Sequence, residues 1–152
     1  MQAYFQKLLA YNLWGHQQLA HQLESQQVAE DEASLRWFSH LLTAEQIWYH
    51  RLQGLPAPPT PLWEVRPLDT LRSEILVNHG LLEKFLTTTT DYDRVVTYHN
   101  SKGDAFSTSV EDILAHLFNH GTHHRGQILS RIRELGGTPT SLDFIFYVRT
   151  NP

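Results

Sequence analysis

The sequence predicts an all-α protein, a four-helix bundle with a short β-hairpin before the last long helix. Four segments of the 152-residue chain carry apolar residues at helical spacing. Glycines and prolines separate several of these segments, and a strand-forming stretch interrupts the series before the last long helix. Because 41% of the residues are hydrophobic and 11% are aromatic, the chain can fill a core. Its length predicts one domain over residues 1–152.

The first two predicted helices cover about residues 4–23 and 35–53. Apolar residues line one face of the first helix, at Phe5, Leu9, Leu13, Ala20 and Leu23. Ser34 is placed to cap the second helix, which Gly54 ends. Residues 55–67 hold five of the seven prolines, so they are predicted to form a connecting loop.

The third helix is predicted at about 68–86, and a short β-hairpin follows within 91–107. Val95–Tyr98 favours a strand, Asn100–Gly103 favours a turn, and Ala105–Ser107 can form the returning strand.

The last long helix is predicted to begin at the capping-box pattern of residues 108–111. It runs to Leu135 and ends at the glycine pair that follows. Residues 142–148 are apolar and aromatic, and their periodicity leaves a short helix and a strand both open.

The composition excludes several classes of function. The formal net charge of −4 gives no electrostatic reason to bind nucleic acid. The sequence has no run of about 18 apolar residues, so no membrane span is predicted. The first ten residues lack the pattern of a signal peptide, so the expected location is the cytoplasm. Because the chain has no cysteine, any bound metal must be held by histidine, aspartate or glutamate.

Histidine is concentrated in the last long helix, where four of the ten histidines lie within residues 116–124. His120 and His124 are one turn apart, so their imidazoles converge as two ligands of a metal ion would. The pair lies at the inward edge of the helix's apolar stripe, which comprises Leu114, Leu117, Gly121, Ile128 and Ile132. His116 and His123 lie further toward the polar side. The pattern predicts a divalent-metal site, with two hydrogen-bonded core histidines as the alternative.

A third ligand must come from another helix, and His40 is the best candidate. It flanks the predicted buried stripe of the second helix, formed by Trp37, Leu41, Ala44, Trp48 and Leu52. His50 points away from that stripe. His16 falls within the apolar stripe of the first helix. It is a fourth ligand, a polar wall of the site, or a core histidine bonded to Asn12 or a carbonyl group.

Three further polar residues are predicted to act near the site. Arg125 falls on the apolar face of the last long helix, where an unpaired charge would be costly. Glu45 lies at the edge of the second helix's stripe, so the two are predicted to form a structural pair. Gln127 can orient a bound water or a ligand imidazole. No general base is identified, and the candidates are His16, Glu45, His116 and His123.

Four stretches of the chain carry a resemblance: Tyr11–Trp14, His40–Trp48, Asn119–Gln127 and Leu142–Phe146. Together they resemble the DinB family of the DinB/YfiT-like proteins over nearly the whole chain, and the third stretch is the most specific. The resemblance implies an up-down-down-up four-helix bundle with a metal ion on three histidines. Carried over position by position, these are His40, His120 and His124, the same three that the helical spacing selects. His16 departs from the pattern, since relatives often have asparagine there.

Three neutral imidazoles leave a divalent ion an open position for water or a thiolate. Nickel and zinc both suit histidine nitrogen. Related branches transfer low-molecular-weight thiols, so the resemblance implies a metal-dependent hydrolase or thiol transferase acting on a small molecule. It also implies a homodimer, and the family name refers to induction by DNA damage, which suggests a stress response. The alternatives are a metal-binding stress protein without enzymatic activity, a pH-sensing helical module and a plain helical interaction protein.

Overall fold

The computed structural model describes residues 1–100 and 102–151. In chain order the elements are α1 (Gln2–Ser25), α2 (Glu32–Gln53), α3 (Leu68–Thr88), β1 (Val95–His99), β2 (Ala105–Ser109), α4 (Val110–Glu134) and α5 (Phe144–Thr150). The protein is therefore mostly helical, as predicted, and the C-terminal segment whose periodicity left two choices contains a helix. None of the helices in the described part has the length and apolar character needed to cross a membrane.

The long helices pack so that α1 and α2 each contact both α3 and α4. Gln2 donates a hydrogen bond to the carbonyl oxygen of Leu86 at 2.8 Å, so the start of α1 meets the end of α3. Arg131 near the end of α4 donates to Asp31, just before α2, at 3.0 Å. Thus α1 runs antiparallel to α3, and α2 runs antiparallel to α4.

Two contacts show that α1 and α4 run in the same direction. Near the start of both helices, the ring of Phe5 stacks on that of Phe118 with 6.3 Å between centroids. Further along both helices, Arg125 donates to Asn12 at 2.7 Å.

The predicted buried face is confirmed for α4 but only in part for α2. All five residues of the predicted stripe of α4 are buried, which confirms it. The prediction for α2 is partly wrong, because Trp37 and Trp48 are only half-buried. Leu41, Ala44 and Leu52 are buried as predicted, and Phe38 and Leu42, which the prediction left out, are fully buried as well. The buried face is rotated because α2 packs against α3 as well as α4, while Trp48 borders a cavity.

Two helices begin with capping residues other than those predicted. Asp31 caps α2 by accepting from the backbone N–H of Ser34 at 3.0 Å, so Ser34 is not the cap. Ser109 caps α4 by accepting from the backbone N–H of Asp112 at 3.1 Å, one residue after the start of the predicted capping box. Thr108 is still paired within the hairpin, which leaves the turn into the helix to the next residue.

The predicted hairpin is confirmed, since β1 and β2 pair antiparallel with Tyr98 opposite Phe106. The second strand runs to Ser109, two residues further than predicted. The predicted turn includes Ser101, which lies outside the described residues. The ring of Tyr98 meets the ring of Trp48 edge-on with 5.1 Å between centroids, so the hairpin lies against the end of α2.

A buried polar network joins all four long helices. Arg125 is only 2% exposed, and its Nη1 donates to Oδ1 of Asn12 at 2.7 Å. The amide of Asn12 donates to Oε1 of Glu45 at 2.7 Å, and the amide of Asn78 donates to Oε2 at 3.0 Å. The predicted pairing of Arg125 with Glu45 is therefore bridged by Asn12. Burial raises the pKa of Glu45 to about 7, although both amides and the Arg125 charge act to lower it.

Two glycines leave the space that Arg125 occupies. A Cβ atom at Gly15 would lie 2.9 Å from Nε of Arg125. A Cβ atom at Gly121 would lie 2.7 Å from Oδ1 of Asn12 and 3.1 Å from Nη1 of Arg125. These separations are too short for ordinary van der Waals contact, so any larger residue at either position would displace the network.

We expect Gly121→Ala to lower the free energy of unfolding by roughly 1–3 kcal/mol, because overpacking displaces the hydrogen bond between Arg125 and Asn12. Gly126→Ala is the matched control, since its added Cβ in the same helix meets nothing within 4 Å. That change should raise the free energy of unfolding by roughly 0.5–1 kcal/mol through helix propensity. Urea denaturation measures both, and equal stability of the two variants would contradict the packing explanation.

Candidate metal centre

Three imidazoles converge where α2 faces α4. One ring nitrogen from each of His40, His120 and His124 lies within 4.8 Å of the other two. The Nε2 atoms of His120 and His124 are 3.0 Å apart. The ring centroid of His40 lies 5.3 Å from that of His120 and 4.8 Å from that of His124. The structure thus brings together the three histidines that the sequence selects.

The polar atoms around this cluster fit a divalent metal ion. Among the described residues, Nδ1 of His40 and Nδ1 of His124 are both buried without a hydrogen-bond partner. Buried polar atoms normally have partners, so the unpartnered nitrogen of His40 is compatible with a bound ion or water at the cluster. The Nε2 atom of His124 faces His120, so its unpartnered Nδ1 lies on the other side of the ring. The Oε1 atom of Gln127 is likewise buried and has no hydrogen-bond partner among the described residues. The Gln127 side chain acts to raise the pKa of His124, and such a carbonyl can orient an imidazole toward a metal.

His40 is held by a residue that the sequence analysis missed. The ring of Trp63 stacks on His40 with 3.8 Å between centroids and 11° between planes. Trp63 belongs to the proline-rich loop between α2 and α3. Arg66 ties this loop to α2 by donating to Oγ1 of Thr43 at 2.9 Å. A tryptophan among prolines is the only sequence signal of this contact, and it does not say where the ring packs.

A cavity of about 700 Å³ adjoins the cluster, and His40 and His120 form part of its wall. The rest of the wall comes from one face of α2, from the loop after it and from the hairpin. Cavities of about 300–1,000 Å³ are typical of small-molecule sites. A ligand in this cavity would therefore contact two of the three clustered histidines.

The DinB family model matches residues 1–151 of the chain. This chain belongs to the DinB family. Protein DinB of Bacillus subtilis (strain 168) is 23% identical to it over 158 residues, which cover 93% of this chain and 92% of that protein. The resemblance seen in four stretches of the sequence is thereby confirmed over nearly the whole chain.

Burial keeps the clustered histidines of this DinB-family chain neutral. It lowers the pKa of His120 to about 3, with smaller contributions from the neighbouring histidines. It lowers the pKa of His124 to about 4, an effect that Gln127 opposes. Burial also lowers the pKa of His40, against a backbone interaction with Leu62. Because neutral imidazole is the form that binds metal, the cluster is ready for an ion at neutral pH.

The other histidines considered as ligands do not join the cluster. His16 is buried against Glu45, with 3.7 Å between Nε2 and Oε1, and burial holds its pKa well below the usual value. It is the core histidine among the sequence alternatives, with a carboxylate rather than Asn12 as its neighbour. His116 and His123 are exposed on α4.

The lowered histidine pKa values predict how the stability of the metal-free chain depends on pH. A histidine whose folded pKa lies below its unfolded value of about 6.5 binds protons more readily when the chain is unfolded. Its contribution to stability is present above about pH 6.5. That contribution is lost as the pH falls toward about 4 and about 3, the values of His124 and His120. We therefore expect His120→Gln to lose less unfolding free energy on acidification than the wild-type chain.

His21→Gln, on the exposed side of α1, is the control and should keep the wild-type pH dependence of the unfolding free energy. Glu45 changes the unfolding free energy with pH in the opposite direction, because its pKa is raised from 4.5 to about 7. This contribution is the same in all three proteins, so it does not affect their comparison. Urea denaturation at a series of pH values with a chelator present measures the difference. Identical slopes for His120→Gln and wild type would show that burial does not perturb His120.

Proposed function

We propose that this chain binds a divalent metal ion on His40, His120 and His124 and uses it in a reaction on a small molecule. The observation that carries this proposal is the convergence of three neutral ring nitrogens from two helices. The adjoining cavity provides room for a substrate. Membership of the DinB family is compatible with such a metal site.

We also propose that residues 1–152 form a single domain with an up-down-down-up bundle. If α1 points up, α4 points up because the two helices are parallel. Both α2 and α3 then point down, since each is antiparallel to one of them. The match of one family model to residues 1–151 supports the single domain.

Three protein ligands support an open metal site rather than a closed structural one. A structural zinc site usually has four protein ligands, whereas the described residues of this cluster supply three. When bound, the ion would supply Lewis acidity that lowers the pKa of a water or a thiol. We propose nickel or zinc, because both suit histidine nitrogen.

Residues of the chain itself would hold the ligands and shape the reaction space. Trp63 fixes the plane of the His40 ring, and Gln127 can accept the Nδ1 proton of His124. Ala44 lies one turn after His40 and borders the cavity, where its small side chain leaves room for a substrate.

The candidate bases differ in their access to the cluster. Glu45 and His16 belong to the buried polar region, and neither borders the cavity. His116 and His123 remain, with ring centroids 5.5 Å from His120 and 5.0 Å from His124 respectively.

Metal analysis of the chain purified without a histidine tag tests the proposed site. We expect nickel or zinc to co-purify, and calorimetry to detect binding at micromolar or lower concentrations. His120→Ala should weaken binding by more than about 100-fold, since even the loss of a partner to a ligand costs about 10–100-fold. His50→Ala is the control, because His50 lies on α2 and bonds to the carbonyl oxygen of Pro56. If no metal co-purifies and none binds in calorimetry, the proposed function is wrong.

Cobalt substitution separates thiol transfer from hydrolysis. If a thiolate takes the open position, 2-mercaptoethanol added to the cobalt(II) protein should produce a saturable sulfur-to-cobalt charge-transfer absorption. Glu32→Gln, at the exposed start of α2 and outside the cavity wall, should retain that absorption. No new absorption in the wild-type protein would exclude the thiol transferase and leave the hydrolase.

A pH-sensing role has less support than metal binding. The pKa values of about 3 for His120 and about 4 for His124 lie below the range of roughly pH 5–8 in which histidine switches operate.

The homodimer, the stress response and the cytoplasmic location stay predictions. Phe144, Ile145 and Phe146 of α5 are exposed apolar side chains on which a second copy can pack, and light scattering of the purified chain measures the oligomeric state.

A further inference from the structure

One face of α2 borders the cavity from the histidine cluster to the last turn of the helix. This face comprises His40, Ala44, Ile47, Trp48 and Arg51, whose spacing is that of neighbours on one helix face. Arg51 comes eleven residues after His40, so their Cα atoms lie roughly 16 Å apart along the helix axis. The cavity therefore has a clustered imidazole and a guanidinium along the same wall, with apolar side chains between them.

The guanidinium of Arg51 is held in place but has no carboxylate partner within ion-pair distance in the described part of the chain. Its Cζ lies 4.4 Å from the ring centroid of Trp48 and 4.5 Å from that of Tyr98. Its Nη2 donates to the carbonyl oxygen of His99 at 3.0 Å. A guanidinium has five N–H donors, so this single bond leaves donors for a ligand.

Arg51 differs from several other arginines of the chain, which form ion pairs with carboxylates. Four of them form ion pairs with carboxylates, namely Arg36, Arg66, Arg72 and Arg131. Burial lowers the pKa of Arg51, yet a guanidinium keeps its charge in proteins. A partly desolvated charge gains more from an anionic partner than an exposed one does.

The rest of the cavity wall consists of apolar and polar side chains, the latter including Thr97, Tyr98 and Asn100, rather than acidic ones. Leu55, Ala57, Pro58 and Leu62 add apolar surface, and no aspartate or glutamate of residues 1–100 and 102–151 borders the cavity. A ligand that complements this wall has an apolar body and an anionic end.

We propose that the cavity binds an elongated, largely apolar carboxylate whose anionic end lies against Arg51. The apolar body lies along Ala44, Ile47 and Trp48, and the opposite end reaches the three-histidine cluster. Arg51 is thus a specificity-determining residue for the substrate. That the ligand reacts at its end near the histidine cluster rests on the proposed function. Recognition of the ligand's carboxylate by Arg51 does not.

Octanoate and 1-octanol test this proposal, because they have the same chain length and differ in charge. Calorimetry on the full chain, freed of metal with a chelator, should show octanoate binding at least about tenfold more tightly than octanol. Arg51→Gln should abolish that preference and leave octanol binding unchanged. Arg36→Gln is the matched control, since Arg36 lies on the exposed part of the same helix and pairs with Glu32.

Three results would overturn the proposal. Equal affinity of the wild-type chain for octanoate and octanol would show that the cavity does not select an anion. If Arg51→Gln weakened the binding of octanoate and octanol equally, Arg51 would only support the cavity wall. A lowered melting temperature of that variant would show the lost support. A preference for octanoate that appears only with zinc, and persists in Arg51→Gln, would place the carboxylate on the ion. Because the first measurement uses metal-free protein, failure of the metal site alone leaves its outcome unchanged.

Discussion

The position of the histidine cluster depends on the buried hydrogen bonds that run from Arg125 through Asn12 to Glu45. Arg125 directly follows His124, and Glu45 comes five residues after His40. The contacts that hold Arg125 and Glu45 therefore also set the register of α4 against α2. Leaving a buried polar group without its hydrogen-bond partner typically costs about 1–3 kcal/mol, and more when the group is charged. The two helices consequently have little freedom to slide, and the imidazoles stay opposite one another.

The helix α4 can carry both the network and the cluster because it packs against two other long helices. Consecutive helical residues point about 100° apart, so His124 faces the cluster while Arg125 faces α1. Gly121 lies one turn before Arg125 and leaves the space through which Asn12 reaches it. The edge of α4 that carries His120 and His124 is thus supported by a side of the same helix that cannot rotate without leaving the buried charge of Arg125 unpaired.

The places where sequence reasoning and structure differ share a physical cause. Ser34 and Asp31 are both good capping residues, and only the path of the chain before α2 decided that Asp31 takes the role. The buried stripe of α2 was predicted as if the helix faced one neighbour, but contact with a second helix rotates it. The predicted pairing of Arg125 with Glu45 is indirect, because the amide that bridges them belongs to Asn12 on a third helix.

The sequence by itself determined the four long helices, the hairpin, the family and the convergence of His120 with His124. These features are local, because the rise and turn of one helix set which side chains share its face. Only the tertiary structure decided that His40 meets that pair, that Trp63 stacks on it and that Arg51 shares its cavity. Such contacts join separate elements, so they depend on the rotation and register of each helix, which the packing of the whole core determines.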